Sequence, residues 1–177
     1  MENHINGINT RIGNTLKELL PTSDLQSFGP AESIAVRDDS SDVTFPAIVL
    51  PNGECYSVFG ETDKHDVTLY HRLNDISFQE DSKAAYGSGH GYSETDDMSL
   101  IVFGKRAGIS PFRMEKIARQ AIESDNANTI VRSDFNSLQV FANEYAGVTY
   151  FLDPRYFLFK INYRITSTYN ARCAKNE

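Results

Sequence analysis

The chain has 177 residues, of which 40% are hydrophobic and 23% charged, and this composition fits one ordinary domain with a buried core. The formal net charge of −7 argues against a nucleic-acid-binding protein that acts through its overall field. Two cysteines, Cys55 and Cys173, share no CxxC spacing, so we expect reduced thiols in a cytoplasmic product and no zinc or redox motif. The sequence predicts neither a signal peptide nor a membrane-spanning segment.

The first third of the chain predicts a helix and a hairpin. Isoleucine and leucine recur at helical spacing from Ile5 to Leu20, which predicts an amphipathic helix over residues 3–20. Residues 22–41 are polar and predict an exposed connection. Two β-rich runs, 43–50 and 55–60, then flank an Asn-Gly pair, which is typical of a hairpin. Pro46 inside the first run predicts an edge strand or a bulge.

The remainder alternates strands with helices. We expect strands at 67–73, with DISF as an extension, at 98–104, at 128–133 and at 155–169. Ser110-Pro111 predicts the start of a helix, and Ser133 or Asp134 is expected to cap another helix that ends near Tyr145. The fold class that follows is α+β: a single domain over residues 1–177, with a mostly antiparallel mixed β-sheet flanked by about three α-helices.

A glycine-rich stretch, YGSGHGY at residues 86–92, lies within a predicted exposed loop over residues 80–97. Its G-x-G-x-G spacing does not match a nucleotide-binding motif, and the net charge of −4 over residues 80–97 disfavours phosphate. Its histidine has no metal-ligand spacing to another histidine. We therefore expect a loop that is mobile in the free subunit and that forms a subunit contact or faces a lumen. The residues expected to do so are Tyr86, His90, Tyr92, Glu94, Asp96 and Asp97.

Two basic segments contrast with this acidic one. Residues 105–119 and 153–175 each carry a net charge of +4 inside an acidic chain. An ordinary mixed surface would also give such segments, but opposite patches on one subunit favour a head-to-tail contact between copies, which closes into a ring when the rotation allows. The residues expected to form this complementary basic interface are Lys105, Arg106, Arg113, Lys116, Arg155 and Arg164.

The order of these motifs resembles a known family. After the amphipathic helix come a Pro46-Ala47-Ile48 strand, a Tyr70-His71-Arg72 strand, the strand MSLIVFG, a helix, and a final strand FKINYRITST. This order resembles the tail-terminator and tail-completion (head–tail joining) proteins of tailed bacteriophages. The resemblance covers most of residues 1–170.

The resemblance implies a virion structural protein without catalytic residues or a cofactor. Such a subunit would form a homo-oligomeric ring, commonly a hexamer, that caps the tail tube or joins it to the head, in contact with other phage tail or connector proteins. DNA would only pass through the channel, and an acidic lumen would keep it from adhering. Assembly would take place in the host cytoplasm, without a membrane partner.

Two alternatives come from other functional classes. One is a metal-dependent hydrolase that uses His65, His71 or His90 with Asp96 or Asp97, although His71 on its strand is more typical of a hydrogen-bonded, part-buried residue. The other is a small adaptor or immunity-type protein that binds one partner in a one-to-one complex.

Overall fold

The computed structural model describes residues 1–38, 41–49, 52–58, 64–81, 91–135 and 154–170. These residues form two helices and eight strands and confirm the α+β class. In chain order the elements are α1 (Glu2–Leu19), β1 (Leu25–Pro30), β2 (Glu32–Asp38), β3 (Ser41–Val49), β4 (Cys55–Ser57), β5 (Val67–Asp81), β6 (Gly91–Lys105), α2 (Pro111–Glu123), β7 (Asn128–Asp134) and β8 (Tyr156–Asn170).

Five strands form a mixed sheet in the order β1-β5-β6-β8-β7. Only β1 runs parallel to its neighbour, and the other pairs in this sheet are antiparallel, as the sequence predicts. The continuous apolar run of residues 98–104 lies in β6, at the centre of the sheet, and this confirms its predicted place. A second, antiparallel sheet has the order β2-β3-β4.

Both helices pack on one face of the five-stranded sheet, where Ile5, Ile8, Ile12 and Leu16 of α1 are buried, while Leu19 near the end of the helix is exposed. The helices run antiparallel, because Arg11 Nε of α1 donates to the Ala121 carbonyl near the end of α2, at 2.8 Å. His4, at the start of α1, likewise bonds the Asp125 carboxylate just past α2, at 2.7 Å. The predicted helix over residues 3–20 is thus confirmed, and its stripe covers the sheet.

The opposite face of the sheet carries a smaller apolar cluster. Tyr70, Ile101 and Leu158 pack there with Val58, and the partly buried Ile48 of β3 joins them. Apolar contacts therefore connect the three-stranded sheet to the face of the large sheet that the helices leave open.

The Asn-Gly hairpin is confirmed, since β3 and β4 pair antiparallel and Gly53 has a φ of 82°. This backbone conformation is readily adopted by glycine and rarely by other residues. Pro46 lies in the middle strand of its sheet rather than in an edge strand. The pairing with β4 starts only at Ala47, however, so at Pro46 the only paired neighbour is β2.

The predicted connection over residues 22–41 is wrong, because β1 and β2 occupy most of it. Both are edge strands of their sheets. An edge strand meets solvent along one side and tolerates polar residues, so its sequence lacks the apolar run of a central strand.

The predicted exposed loop over residues 80–97 is wrong at both ends. β5 runs through Asp81 and β6 begins at Gly91, so residues 80–81 and 91–97 are paired strand. The reason is pairing on both sides of β6, with β5 and with the end of β8, which holds a polar segment extended. Tyr86 and His90 lie outside the described residues, as does the core of the glycine-rich stretch.

Two helices are found in the described residues, where the sequence predicts about three. The third predicted helix lies outside these residues except at its start. Ser133 and Asp134, which were expected to cap it, instead belong to β7 and pair with Ile161 and Lys160. They lie at the strand end because the ladder with β8 continues through them.

Two irregularities lie at the same level of the sheet. The register between β5 and β6 shifts at Asn74, between the pairs Leu73–Met98 and Asp75–Asp97. The register between β7 and β8 shifts at Val131, where Ile130 still pairs with Tyr163. Because Met98 pairs with Tyr163, both shifts lie beside one cross-strand row. Extra residues of this kind bend a strand and increase its twist.

Candidate functional site

Beyond the row of Met98 and Tyr163, three strands continue as an extension of the sheet. We call this extension the arm: residues 75–81 of β5, 91–97 of β6 and 164–170 of β8. Glu94, Asp96, Asp97 and Tyr92 lie on its central strand, so four of the predicted interface residues share one element.

The arm has two chemically different faces, because side chains of a strand alternate. The face turned away from the helices is polar, with residues such as Asp75, Ser77 and Gln79. The face on the helix side of the sheet mixes apolar and acidic side chains. Its members are Ile76, Phe78, Glu80, Tyr92, Glu94, Asp96, Ile165, Ser167 and Tyr169.

Four of the apolar members of the helix-side face are exposed, whereas Ile165 is fully buried. Phe78 is 70% exposed, and Ile76, Tyr92 and Tyr169 are each more than two-fifths exposed. Ile76, Phe78 and Tyr169 are not among the residues that the sequence predicted for the site. The alternation of apolar and polar residues in DISFQED is the signal that could have identified the first two.

Asp96 differs from the other acids of the arm because it is only 3% exposed. Burial raises the pKa of its carboxyl, and the neighbouring Glu94 carboxylate raises it further. Its Oδ1 atom has no hydrogen-bond partner. Asp96 therefore lies at the root of the arm as a buried acid beside a like charge, which is an unfavourable position within one chain.

Asp97 faces the opposite side and pairs with Arg164, whose Nε donates to Asp97 Oδ1 at 2.6 Å. The sequence grouped Arg164 with the basic interface, but β8 places it in the arm, opposite Asp97 in the register. Both side chains are partly exposed, so the pair contributes little to stability.

Lys105, Arg106 and Arg155 lie at the other end of the same strands. Arg106 Nε donates to the Tyr156 carbonyl at 3.0 Å, and Lys105 Nζ lies 3.8 Å from Asp66 Oδ1. These side chains line an open surface cavity of about 580 Å³ together with Ala107, Arg155 and Tyr156. We call this region the basic end.

The arm tip and the basic end lie at opposite ends of β6. This strand has 15 residues, which span about 45 Å at about 3.3 Å per residue. Lys105, Arg106 and Arg155 are thus separated along one axis from the acids of the arm, whereas Arg164, from the second basic segment, lies in the arm itself.

Arg113 and Lys116 form a further basic patch on α2. The helix begins at Pro111 after Ser110, whose Oγ accepts from the Arg113 backbone N–H at 3.3 Å, and this confirms the predicted start. Both basic side chains are exposed, and beside them Phe112 is 74% exposed. Within the described ranges neither basic side chain has an ion-pair partner.

His71 is fully buried beneath α1 and joins three elements through hydrogen bonds. Asn9 Nδ2 donates to the Phe28 carbonyl at 3.0 Å, so Asn9 Oδ1 accepts from His71 Nε2–H at 2.8 Å. His71 Nδ1 then accepts from the Tyr163 hydroxyl at 2.7 Å. Burial lowers the pKa of His71 to about 3, so the ring is neutral. The prediction of a hydrogen-bonded histidine is confirmed, but the side chain is fully rather than partly buried.

Of the residues expected for a hydrolase site, those within the described ranges are not brought together. His71 pairs with Leu100 in the ladder, whereas Asp96 lies four residues away along β6. His65 bonds Asp24 at 2.6 Å near the basic end, and His90 lies outside the described residues. Among the residues that the structure places, no three histidine, cysteine, aspartate or glutamate side chains are arranged to hold a metal ion.

Neither described helix is long and apolar enough to cross a membrane. No protein-family model matches the chain, and a search of the curated proteins returns no match.

Proposed function

We propose that this protein is a structural subunit that assembles head to tail into a ring. The observation that carries the proposal is the separation of charge along β6, with acids in the arm and the basic end at the opposite end. A head-to-tail contact requires two different surfaces on each subunit, and these must complement each other. Opposite charges would set the register and speed the encounter of subunits more than they would strengthen the contact.

The resemblance in element order places such a ring at the end of a phage tail or at the head–tail junction. There the ring would cap the tail tube, or join it to the head, in contact with other tail or connector proteins. The net charge of −7 supports this role, because DNA slides past an acidic lumen without adhering to it. The resulting localisation is the virion.

Native mass spectrometry of the purified protein, alone and with the neighbouring tail proteins, tests this proposal. The expected result is a closed oligomer, six subunits for the commonest ring of this family. The oligomer should weaken as salt rises, because salt screens contacts between exposed charges. A subunit that stays monomeric at high concentration, with and without the tail proteins, would contradict the proposal. A one-to-one complex would instead indicate the adaptor class.

A further inference from the structure

We infer that the helix-side face of the arm is the docking surface for α2 of a second copy of this chain. In this contact, Phe112 of one copy packs against Phe78 of the next. Arg113 and Lys116 then face Glu80 and Glu94. The inference rests on the proposed head-to-tail assembly and specifies which two surfaces meet.

The arm presents an apolar surface that nothing in the described part of the chain buries. Phe78 is 70% exposed, and Tyr92 lies near it on the same face. Exposed aromatic side chains with acidic neighbours are typical of interfaces, in which aromatic residues are enriched. In addition, β1 pairs with β5 only as far as His71, so within the described residues the outer edge of β5 in the arm has no neighbouring strand. An unprotected strand edge of this kind promotes association.

The acids of this face disfavour the isolated subunit. Glu94 lies beside the buried Asp96 and, after burial, is the largest cause of the raised pKa of Asp96, which the N-terminal ammonium and His4 only partly offset. Phe78 is opposite Glu94 in the register, and Glu80 is opposite Tyr92. A cation brought to this face would relieve the repulsion between the acids and would meet aromatic rings at the same time.

The first half of α2 carries basic side chains at the end of the helix where the dipole is already positive. The N-terminus of a helix carries a partial positive charge, which favours acids in the first turn. In α2 the first turn contains no acid, and it contains the exposed Arg113, with Lys116 in the next turn. A negatively charged surface next to this turn would compensate both the helix dipole and the two basic side chains.

The helix-side face of the arm and the exposed first half of α2 are chemically complementary. Each combines an exposed phenylalanine with at least two charges, and the charges are opposite in sign. Both lie on the helix side of the large sheet, one on the arm and the other on the helix that packs against the sheet. Because the two surfaces face the same side of one subunit, a second copy that is rotated as well as displaced brings its α2 against the arm. A second copy is the occupant that this complementarity specifies.

Charge reversal with rescue tests the contact. The first variant carries Arg113→Glu and Lys116→Glu, and the second carries Glu80→Lys and Glu94→Lys. Each alone should weaken self-association at least about tenfold, because like charges then meet in the interface. An equal mixture of the two variants should regain hetero-assembly, as should a chain that carries all four changes.

Two control variants make charge changes of the same sign at positions outside the proposed contact. Arg132→Glu reverses an exposed cation on β7, and Gln79→Lys adds a cation to the polar face of the arm. Neither should change association by more than about twofold, as expected for surface positions outside an interface core. Thermal unfolding of each variant checks that it is folded, and the exposed α2 variant can decide the question even if the arm variant does not fold.

Measured dissociation constants separate the inference from the proposed function. Normal assembly of the α2 variant would overturn the inference and leave the proposed ring intact. Weakening without rescue by the four-residue variant or by the mixture would also overturn it. A wild-type chain that never self-associates would overturn both.

Discussion

Replacement of His71 by glutamine should reduce the loss of stability of this fold between pH 7 and pH 5. The ring is buried and neutral, with a pKa lowered to about 3 from its ordinary 6.5, so the unfolded chain binds a proton that the folded chain does not. Stability therefore rises with pH between these two values and is lost as the pH falls below 6.5. The slope approaches about 1.4 kcal/mol per pH unit.

Between pH 7 and pH 5 this one group should lower the free energy of unfolding by about 2 kcal/mol. His71→Gln should cost about 1–3 kcal/mol at pH 7, because Tyr163 and Asn9 lose a buried hydrogen-bond partner. Between pH 7 and pH 5, however, its stability should fall by about 2 kcal/mol less than that of the wild type.

Urea unfolding at a series of pH values measures both effects. His65→Gln is the control, because that ring lies at a partly exposed position, where it bonds the exposed carboxylate of Asp24. The reasoning is refuted if the wild type and His71→Gln lose stability in parallel as the pH falls.

Three further changes test other parts of the fold. Gly104→Ala should destabilise the fold by about 1–3 kcal/mol, because its Cβ would lie 2.5 Å from the buried Phe157 ring, whereas Gly29→Ala, with nothing within 4 Å, should change the urea midpoint little. Asp96→Asn should raise the free energy of unfolding at pH 7. The pKa of Asp96 is raised in the folded chain, so the stability that its neutral form contributes is full below pH 3.8 and is lost as the pH rises through the folded-state pKa. No gain is therefore expected at pH 3. Ser110→Ala should lower stability by about 1 kcal/mol through loss of the helix cap, and an unchanged melting temperature would argue against that cap.

The sequence predicted best those elements whose signal is local. The stripe from Ile5 to Leu16, the Ser110-Pro111 start of α2 and the Asn-Gly hairpin each depend on residues a few positions apart. Periodicity, capping and turn chemistry are physical preferences of the segment itself, so they can be recognised without knowledge of the partners.

Strands stabilised by distant partners were missed. The segment 22–41 is polar because β1 and β2 are edge strands, and their pairing partners are not visible in their own sequence. Residues 91–97 are extended because β8 continues to Asn170 beside them, more than 70 residues away in the chain. Composition alone therefore predicted a loop in segments that pairing with distant strands holds extended.

The sequence predicted the charges of the candidate site but not the arrangement and exposure of its side chains. The opposite signs of the two segments are visible in the sequence, yet the pairing of Asp97 with Arg164 depends on a cross-strand register over 67 positions. The exposure of Phe78 was not foreseen, because alternation identifies a face of a strand without showing whether another element covers it.

The extra residue at Asn74 changes which face of the sheet the odd-numbered and the even-numbered residues of β5 occupy. Before it, the odd-numbered residues Leu69 and Leu73 face the helices, and after it the even-numbered Ile76 and Phe78 take over that face. Deletion of Asn74 would join Leu73 directly to Asp75 and keep Ile76 and Phe78 on the helix side, because the strand would then alternate without the extra residue. The face that Ile76 and Phe78 occupy thus depends on the number of residues in the strand as well as on their type, so one residue inserted between Asp75 and Ile76 would turn both side chains to the polar face.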